Sequence, residues 1–204
     1  ENSYNNLIIS TASTILFEGG MTQTFNNITM PAGTGCADYF DIGTLNPGIP
    51  AAWSMPAGTF NGDWLRITDL TAGGGGTFNA TNSLGIGAVT GWNITSPPSV
   101  NLYWVGDGGN WSDVAHWSLT SGGAPSGCVP TINDSVFFDA NSFTTPIQDA
   151  HVDITAYCKN MDWTGVTNTP DFAGGGQLYI AGSLTLVPGM TTSIFSIINF
   201  MSSG

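Results

Sequence analysis

The chain has 204 residues, 41% of them hydrophobic, so a sizeable core can form in one large all-β domain or two modest ones. Only 8% are charged, against about 25% in ordinary soluble domains, and fourteen acidic residues face two basic ones, for a net charge of −12. That balance excludes nucleic-acid binding and attraction to anionic membrane surfaces, and no apolar run approaches the roughly 20 residues of a membrane span.

With 28 Gly and much Thr and Asn, but almost no Lys, Glu or Gln to cover helices, the composition favours strands and turns. Residues 4–30 carry short apolar runs, Leu7-Ile8-Ile9, Ile15-Leu16-Phe17 and Phe25 to Met30, punctuated by Gly19-Gly20 and Pro31. Residues 39–70 continue with Tyr39-Phe40, Ala51-Ala52-Trp53 and Trp64 to Leu70, separated by turns at Asn46-Pro47-Gly48 and Asn61-Gly62. No 3.6-residue stripe appears. Residues 71–95, opened by Gly73 to Gly76, close a first module, and Pro97-Pro98 marks a stiff connector over 96–101. The predicted organisation is therefore 1–95 as the C-terminal part of one module, 96–101 as connector, and 102–204 as the N-terminal part of the next. The chain opens and stops in strand-like patterns, as expected of a segment of something longer.

The strand-turn unit recurs about every 20 residues, a rung length expected of stacked coils. Residues 7–30 also resemble 178–201. Gly20-Met21-Thr22 recurs as Gly189-Met190-Thr191, with an apolar strand before each and Phe25 to Ile28 matched by Phe195 to Ile198. The predicted fold is all-β, a right-handed parallel β-helix (β-solenoid). The alternative is a set of β-sandwich repeats, whose solvent faces usually carry more Lys and Glu.

The second module opens on Tyr103 to Ser118, which holds three of the seven Trp. Trp104, Trp111 and Trp117 fit two roles: an exposed platform for sugar rings, or a cap over the apolar rows and strand edges of a first coil. The cap is the expectation, because Trp is more often buried than displayed. His116 between Ala115 and Trp117 is expected to be a hydrogen-bonded structural residue. Asp107, Asn110 and Asp113 offer hard oxygen ligands on a Gly-rich loop, which makes Ca²⁺ the one candidate cofactor. The same side chains also serve turn backbones, the plainer role and the expected one. Of Cys36, Cys128 and Cys158, the last two share a module and form the candidate disulfide. Cys36 would then need a partner outside the segment or stay a buried thiol; three unpaired buried thiols is the alternative.

Catalytic signals are weak. A lyase acting on acidic sugars needs cations. Arg66 and Lys159 are the only two, and they fall in different modules. Glycoside hydrolysis needs two well-spaced carboxylates, and no Asp pair stands apart from turn chemistry. The Gly-x-Ser-x-Gly elbow, the phosphate loop and His-rich metal motifs are missing.

Several stretches resemble repeated modules of very large surface proteins of Bacteroidetes. They are Gly74 to Trp92, Tyr103-Trp104-Val105-Gly106, Gly109 to Asp113, Ala115-His116-Trp117-Ser118 and Asp134 to Asp139, with Met161 to Gly165 and Gly182 to Leu186 in the same style. Such proteins resemble adhesins exported by the type IX secretion route, including the giant adhesins of gliding cells. The resemblance covers most of the chain, is densest over 74–190, and is less specific over 5–70. It implies a non-catalytic, β-helical, extracellular cell-surface repeat, part of a stalk or filament for attachment or gliding. The implied partners are neighbouring modules of the same chain, with surface glycans or other surface proteins as further candidates. Asp134-Ser135-Val136 has the form of an O-glycosylation site of such secretors, at Ser135. The functional alternative is a carbohydrate-binding or carbohydrate-degrading β-helix domain.

Overall fold

The structure, a computed structural model, describes residues 1–11, 14–33, 35–36, 39–194 and 197–201. It is all-β, a β-solenoid of about nine turns. The chain divides into two compact units, Glu1–Pro97 and Pro98–Gly204.

In unit 1 the strands are β1 (Asn2–Ile8), β2 (Thr14–Phe17), β3 (Thr22–Thr29), β4 (Phe40–Thr44), β5 (Ala51–Met55), β6 (Thr59–Asp63), β7 (Leu65–Thr68), β8 (Leu70–Gly74), β9 (Thr77–Thr81), β10 (Leu84–Ile86) and β11 (Trp92–Ile94). They form three sheets, β1-β3-β5-β8, β10-β7-β4-β2 and β11-β9-β6. Every recorded pair is parallel. A sandwich of antiparallel sheets is thereby ruled out.

Alternation builds the core. Ala51, Trp53 and Met55 of β5 point inward, as do Phe60 of β6, Leu65 and Ile67 of β7 and Phe78 and Ala80 of β9. The alternate positions are mostly Thr, Asn, Ser and Asp, with Ala52 on β5 and Arg66 on β7. Because the coils stack in register, like sits on like: Thr59 on Thr77, Phe60 on Phe78 and Asn61 on Asn79. The corners turn on residues with left-handed backbone: Trp64 (φ 54) alone joins β6 to β7, Asp69 (φ 46) alone joins β7 to β8, and Asn82 (φ 46), followed by Ser83, joins β9 to β10. Asp and Asn tolerate that conformation better than most residues. Both also use their side chains: Asp69 accepts from Gly48 N–H at 2.9 Å and Ala88 N–H at 2.8 Å, and Asn82 donates to Asp63 at 2.9 Å.

Unit 2 holds β12 (Asn101–Trp104), β13 (Gly109–Asn110), a 3-10 turn (Val114–His116), β14 (Trp117–Ser118), β15 (Ser135–Phe137), β16 (Asp149–Val152), β17 (Ala156–Cys158), β18 (Asn160–Asp162), β19 (Asp171–Gly174), β20 (Leu178–Ile180), β21 (Leu184–Thr185), β22 (Thr191–Ile194) and β23 (Ile198–Phe200). The sheets are β14-β12-β15-β18-β21, β13-β16-β19-β22 and β17-β20-β23. Pairing between the strands is parallel throughout except at β12/β14, which is antiparallel. The core is rich in aromatic rings, with Trp104, Trp111, Trp117, Phe138, Phe143, Trp163 and Phe172, among which pack Leu102, Val136, Met161, Leu178 and Ile180.

The expected Cys128–Cys158 bridge does not form. Cys158 is a free, fully buried thiol. On β17 the odd-even alternation turns Ala156 and Cys158 inward and Tyr157 outward. The thiol thus packs as a small apolar side chain beside Ile180, its cross-strand partner. Burial, with a smaller contribution from the Asp134 carboxylate, pushes its pKa up to about 12.

Candidate functional site

The Trp-rich opening of unit 2 holds three fully buried Trp side chains, Trp104, Trp111 and Trp117. On β12, Leu102 and Trp104 face inward and Asn101 and Tyr103 outward. Gly106 (φ 81) and Asp107 (φ 70) then reverse the chain, two left-handed residues in a row. Trp104 Nε1 donates to the Asp107 carbonyl at 2.6 Å. The Asp107 carboxylate reaches across the coil and accepts from Thr144 N–H (2.6 Å) and the Thr144 hydroxyl (2.7 Å). These two bonds, the hydroxyl first, hold its carboxyl below the usual range.

His116 lies flat on the Trp104 indole, with centroids 4.7 Å apart and planes 7° apart, and its Nδ1 meets the Val105 carbonyl at 2.8 Å. Only glycine fits at 109, where a Cβ would lie 2.0 Å from His116 Nε2. Asp113 caps the 3-10 turn, accepting from Ala115 N–H at 2.9 Å. Asn110 belongs to β13 and pairs with His151 on β16. Trp111 and Trp117 meet edge to face at 4.7 Å and 65°, and Trp117 meets Trp104 at 5.1 Å and 89°. Trp117 Nε1 donates to the Trp111 carbonyl at 2.9 Å. The indole N–H of Trp111 has no acceptor among the described residues.

All three Trp side chains are 0% exposed, so none offers a face to a sugar ring. β14 lies antiparallel on the outer edge of β12, with Trp104 opposite Trp117 and Tyr103 opposite Ser118. Beyond it, Ser118 bridges to Pro125, which has no N–H to offer a further strand. The stack of parallel strands on that sheet therefore ends at a folded-back segment, and the Trp side chains fill the first coil beneath it.

The candidate calcium ligands are each engaged locally. Asp107 ties two loops together, Asp113 caps a turn, and Asn110 sits in a strand. Among the described residues no group of three or more His, Cys, Asp or Glu gathers where it could hold a metal. Ser135 lies half-buried on β15 between Asn101 and Asn160, and its hydroxyl accepts from Asn160 Nδ2 at 3.0 Å. Its neighbour Asp134 is buried and accepts from Val100 N–H, Thr131 N–H and the Thr131 hydroxyl at 2.9, 2.8 and 2.6 Å. Arg66 is engaged with Asp41 on the adjacent strand, Nε at 2.5 Å and Nη2 at 2.7 Å. Lys159 sits exposed at the corner between β17 and β18.

Sequence reasoning missed the polar ladders. Asn79 donates to Asn61 at 2.8 Å and accepts from Asn93 at 3.0 Å, along three stacked strands. In unit 2, Asn160 links Ser135 to Ser183 in the same way. The recurrence of Thr59-Phe60-Asn61 as Thr77-Phe78-Asn79, 18 residues on, was the available signal. Comparison with protein-family models, curated proteins and solved structures finds no match. The fold and the geometry of the opening stretch therefore define the class, a β-solenoid of stacked parallel coils, without assigning a family.

Proposed function

We propose that this chain is a structural segment of a long, extracellular cell-surface repeat protein, in which β-solenoid modules form a stalk that carries adhesive surface. The observation that carries it is the register of the coils: outward Asn, Ser and Thr side chains are spent on ladders between coils, and the buried Trp cluster fills the first coil of unit 2. Side chains used this way stabilise a rod and leave few groups for chemistry. The resemblance to giant adhesins of the type IX secretion route points the same way. So does the Arg66–Asp41 pairing, which occupies one of only two cations. The partners on this account are neighbouring modules, with surface glycans and other surface proteins met elsewhere on the full protein.

An antibody against the chain tests the proposal on cells that make it. Labelling of intact cells, removed by external protease together with attachment to surfaces, is the expected result. Labelling only after lysis would refute it.

A further inference from the structure

We propose that Tyr157 and Tyr179 form an oxidative modification site, at which a one-electron oxidant of the peroxidase class joins the two phenols into a dityrosine that staples one coil of unit 2 to the next. The inference goes beyond the stalk reading, and its test on the purified chain does not depend on that reading.

The fold holds the two rings together. β17 and β20 are adjacent and parallel, with Tyr157 opposite Tyr179. The flanking pairs, Ala156 with Leu178 and Cys158 with Ile180, face inward and are at most 1% exposed. A slip of one residue would turn this apolar set outward, so the register is fixed. Backbone bonds close it at both ends, from Ala156 N–H to the Gln177 carbonyl at 2.7 Å and from Ala181 N–H to the Cys158 carbonyl at 3.1 Å. The two phenols point outward and stack, with centroids 5.3 Å apart and planes 19° apart. Both are half-buried, so solvent reaches each of them. The Tyr179 hydroxyl donates to Gln177 Oε1 at 2.8 Å, which fixes the direction of its ring.

Coupling needs two phenols, and this pair supplies them. Rings also stack between coils at Tyr103 with Phe137 (5.1 Å, 24°) and at Tyr4 with Phe25 (5.6 Å, 21°). Neither of those pairs can couple this way, because phenylalanine has no hydroxyl hydrogen to give up. Tyr157 and Tyr179 each lose one electron to the oxidant and the hydroxyl proton to water. In a phenoxyl radical the unpaired spin is shared between the oxygen and the ring carbons beside and opposite it. The strands lie about 4.8 Å apart, so rotation of the rings brings one Cε of each edge to edge. The two radicals pair there and a Cε–Cε bond forms. Each of these carbons then releases its hydrogen as a proton, and each oxygen takes one up. In sum the oxidant accepts two electrons, water accepts two protons, and the product has two hydrogens fewer. Other oxidisable groups of these coils, Cys158, Met161 and Trp163, face inward and are 0% exposed, so a diffusing oxidant meets the phenols first. The new bond closes the loop from residue 157 to residue 179, at a place where the free Cys158 provides no disulfide.

The sequence itself provides the readout. Arg66 and Lys159 are the only basic residues apart from His, so trypsin cuts the unfolded, reduced chain into 1–66, 67–159 and 160–204. Tyr157 lies in the second fragment and Tyr179 in the third. The folded chain is oxidised in dilute solution with tris(bipyridyl)ruthenium(III), then unfolded, reduced and digested. Fragments 67–159 and 160–204 should stay joined, lighter by two hydrogens in mass spectrometry, and should show dityrosine fluorescence. Oxidation of the chain in urea should give about tenfold or less of that product, because the rings are no longer held together. Tyr157→Phe and Tyr179→Phe keep the stacked rings, and circular dichroism confirms that each is folded; either should abolish the joined product, whereas Tyr103→Phe should leave it. Fragments that separate after oxidation of the folded chain, a joined product that survives either variant, or an equal yield in urea would overturn the proposal. Cell-surface labelling is independent of these outcomes, so failure here is distinguishable from failure of the stalk reading.

Discussion

Replacing Trp111 separates packing from display. The side chain is 0% exposed and its ring meets Trp117 at 4.7 Å. Its indole N–H has no acceptor among the described residues. The bond from Trp117 Nε1 goes to the Trp111 backbone carbonyl, which any substitution keeps. Trp111→Ala therefore removes apolar packing and leaves a cavity, at a cost of about 3–5 kcal/mol. Trp111→Phe keeps most of the packing and removes an unpaired buried donor, whose burial costs about 1–3 kcal/mol. That relief offsets part of the lost volume, so the phenylalanine variant should lie within about 1.5 kcal/mol of wild type. Urea unfolding followed by near-ultraviolet circular dichroism reads both differences. At roughly 2–4 °C per kcal/mol for a chain of 204 residues, the alanine variant should also melt about 6–20 °C lower. An alanine variant within about 1 kcal/mol of wild type, or a phenylalanine variant as damaged as the alanine one, would refute the reasoning.

Three further outcomes follow from single sites. Cys158 should resist alkylation in the folded chain at neutral pH and react once the chain is unfolded. Its folded pKa of about 12 lies above the ordinary 9.0, so its contribution to stability is complete below pH 9 and is lost between about pH 9 and 12. Cys158→Ala should flatten that alkaline slope. The Asp107 carboxyl should titrate below 3.8, and Thr144→Val should return it towards the ordinary value, read by carbon-detected NMR; an unmoved titration would contradict the Thr144 contacts. The stability this carboxylate lends is present above its ordinary pKa and lost as pH falls through the lowered one. Asn79→Ala breaks two ladder bonds on a partly exposed face and should cost about 1–2 kcal/mol in urea unfolding, whereas Asn93→Ala, which breaks one, should cost about half as much.

The stacked-coil fold was legible because its causes are local and repeated. Short apolar runs at near-constant spacing, turns rich in Gly, Asn and Pro between them, and a scarcity of Lys and Glu all appear in the sequence itself. The burial of Trp104, Trp111 and Trp117 was legible from residue type. Their arrangement was not. The fold-back of β14 onto β12 depends on Gly106 and Asp107 both adopting left-handed backbone, and nothing in Gly-Asp-Gly-Gly distinguishes that from other turns. Thr144 lies 37 residues from Asp107 and Asp41 lies 25 from Arg66, so neither partner could be named before the coils were in register. Cys158 was misassigned for a related reason. Its direction depends on strand parity, and a shift of one residue in β17 would have turned it outward.

The account depends first on parallel coils stacked at fixed register. Nuclear Overhauser contacts in the labelled chain test this most directly. They should link Thr59 with Thr77, Phe60 with Phe78 and Asn61 with Asn79, all in the pattern of parallel strands. Close Hα–Hα contacts of antiparallel pairs across these strands, or partners at any other spacing, would contradict the solenoid and with it the stalk.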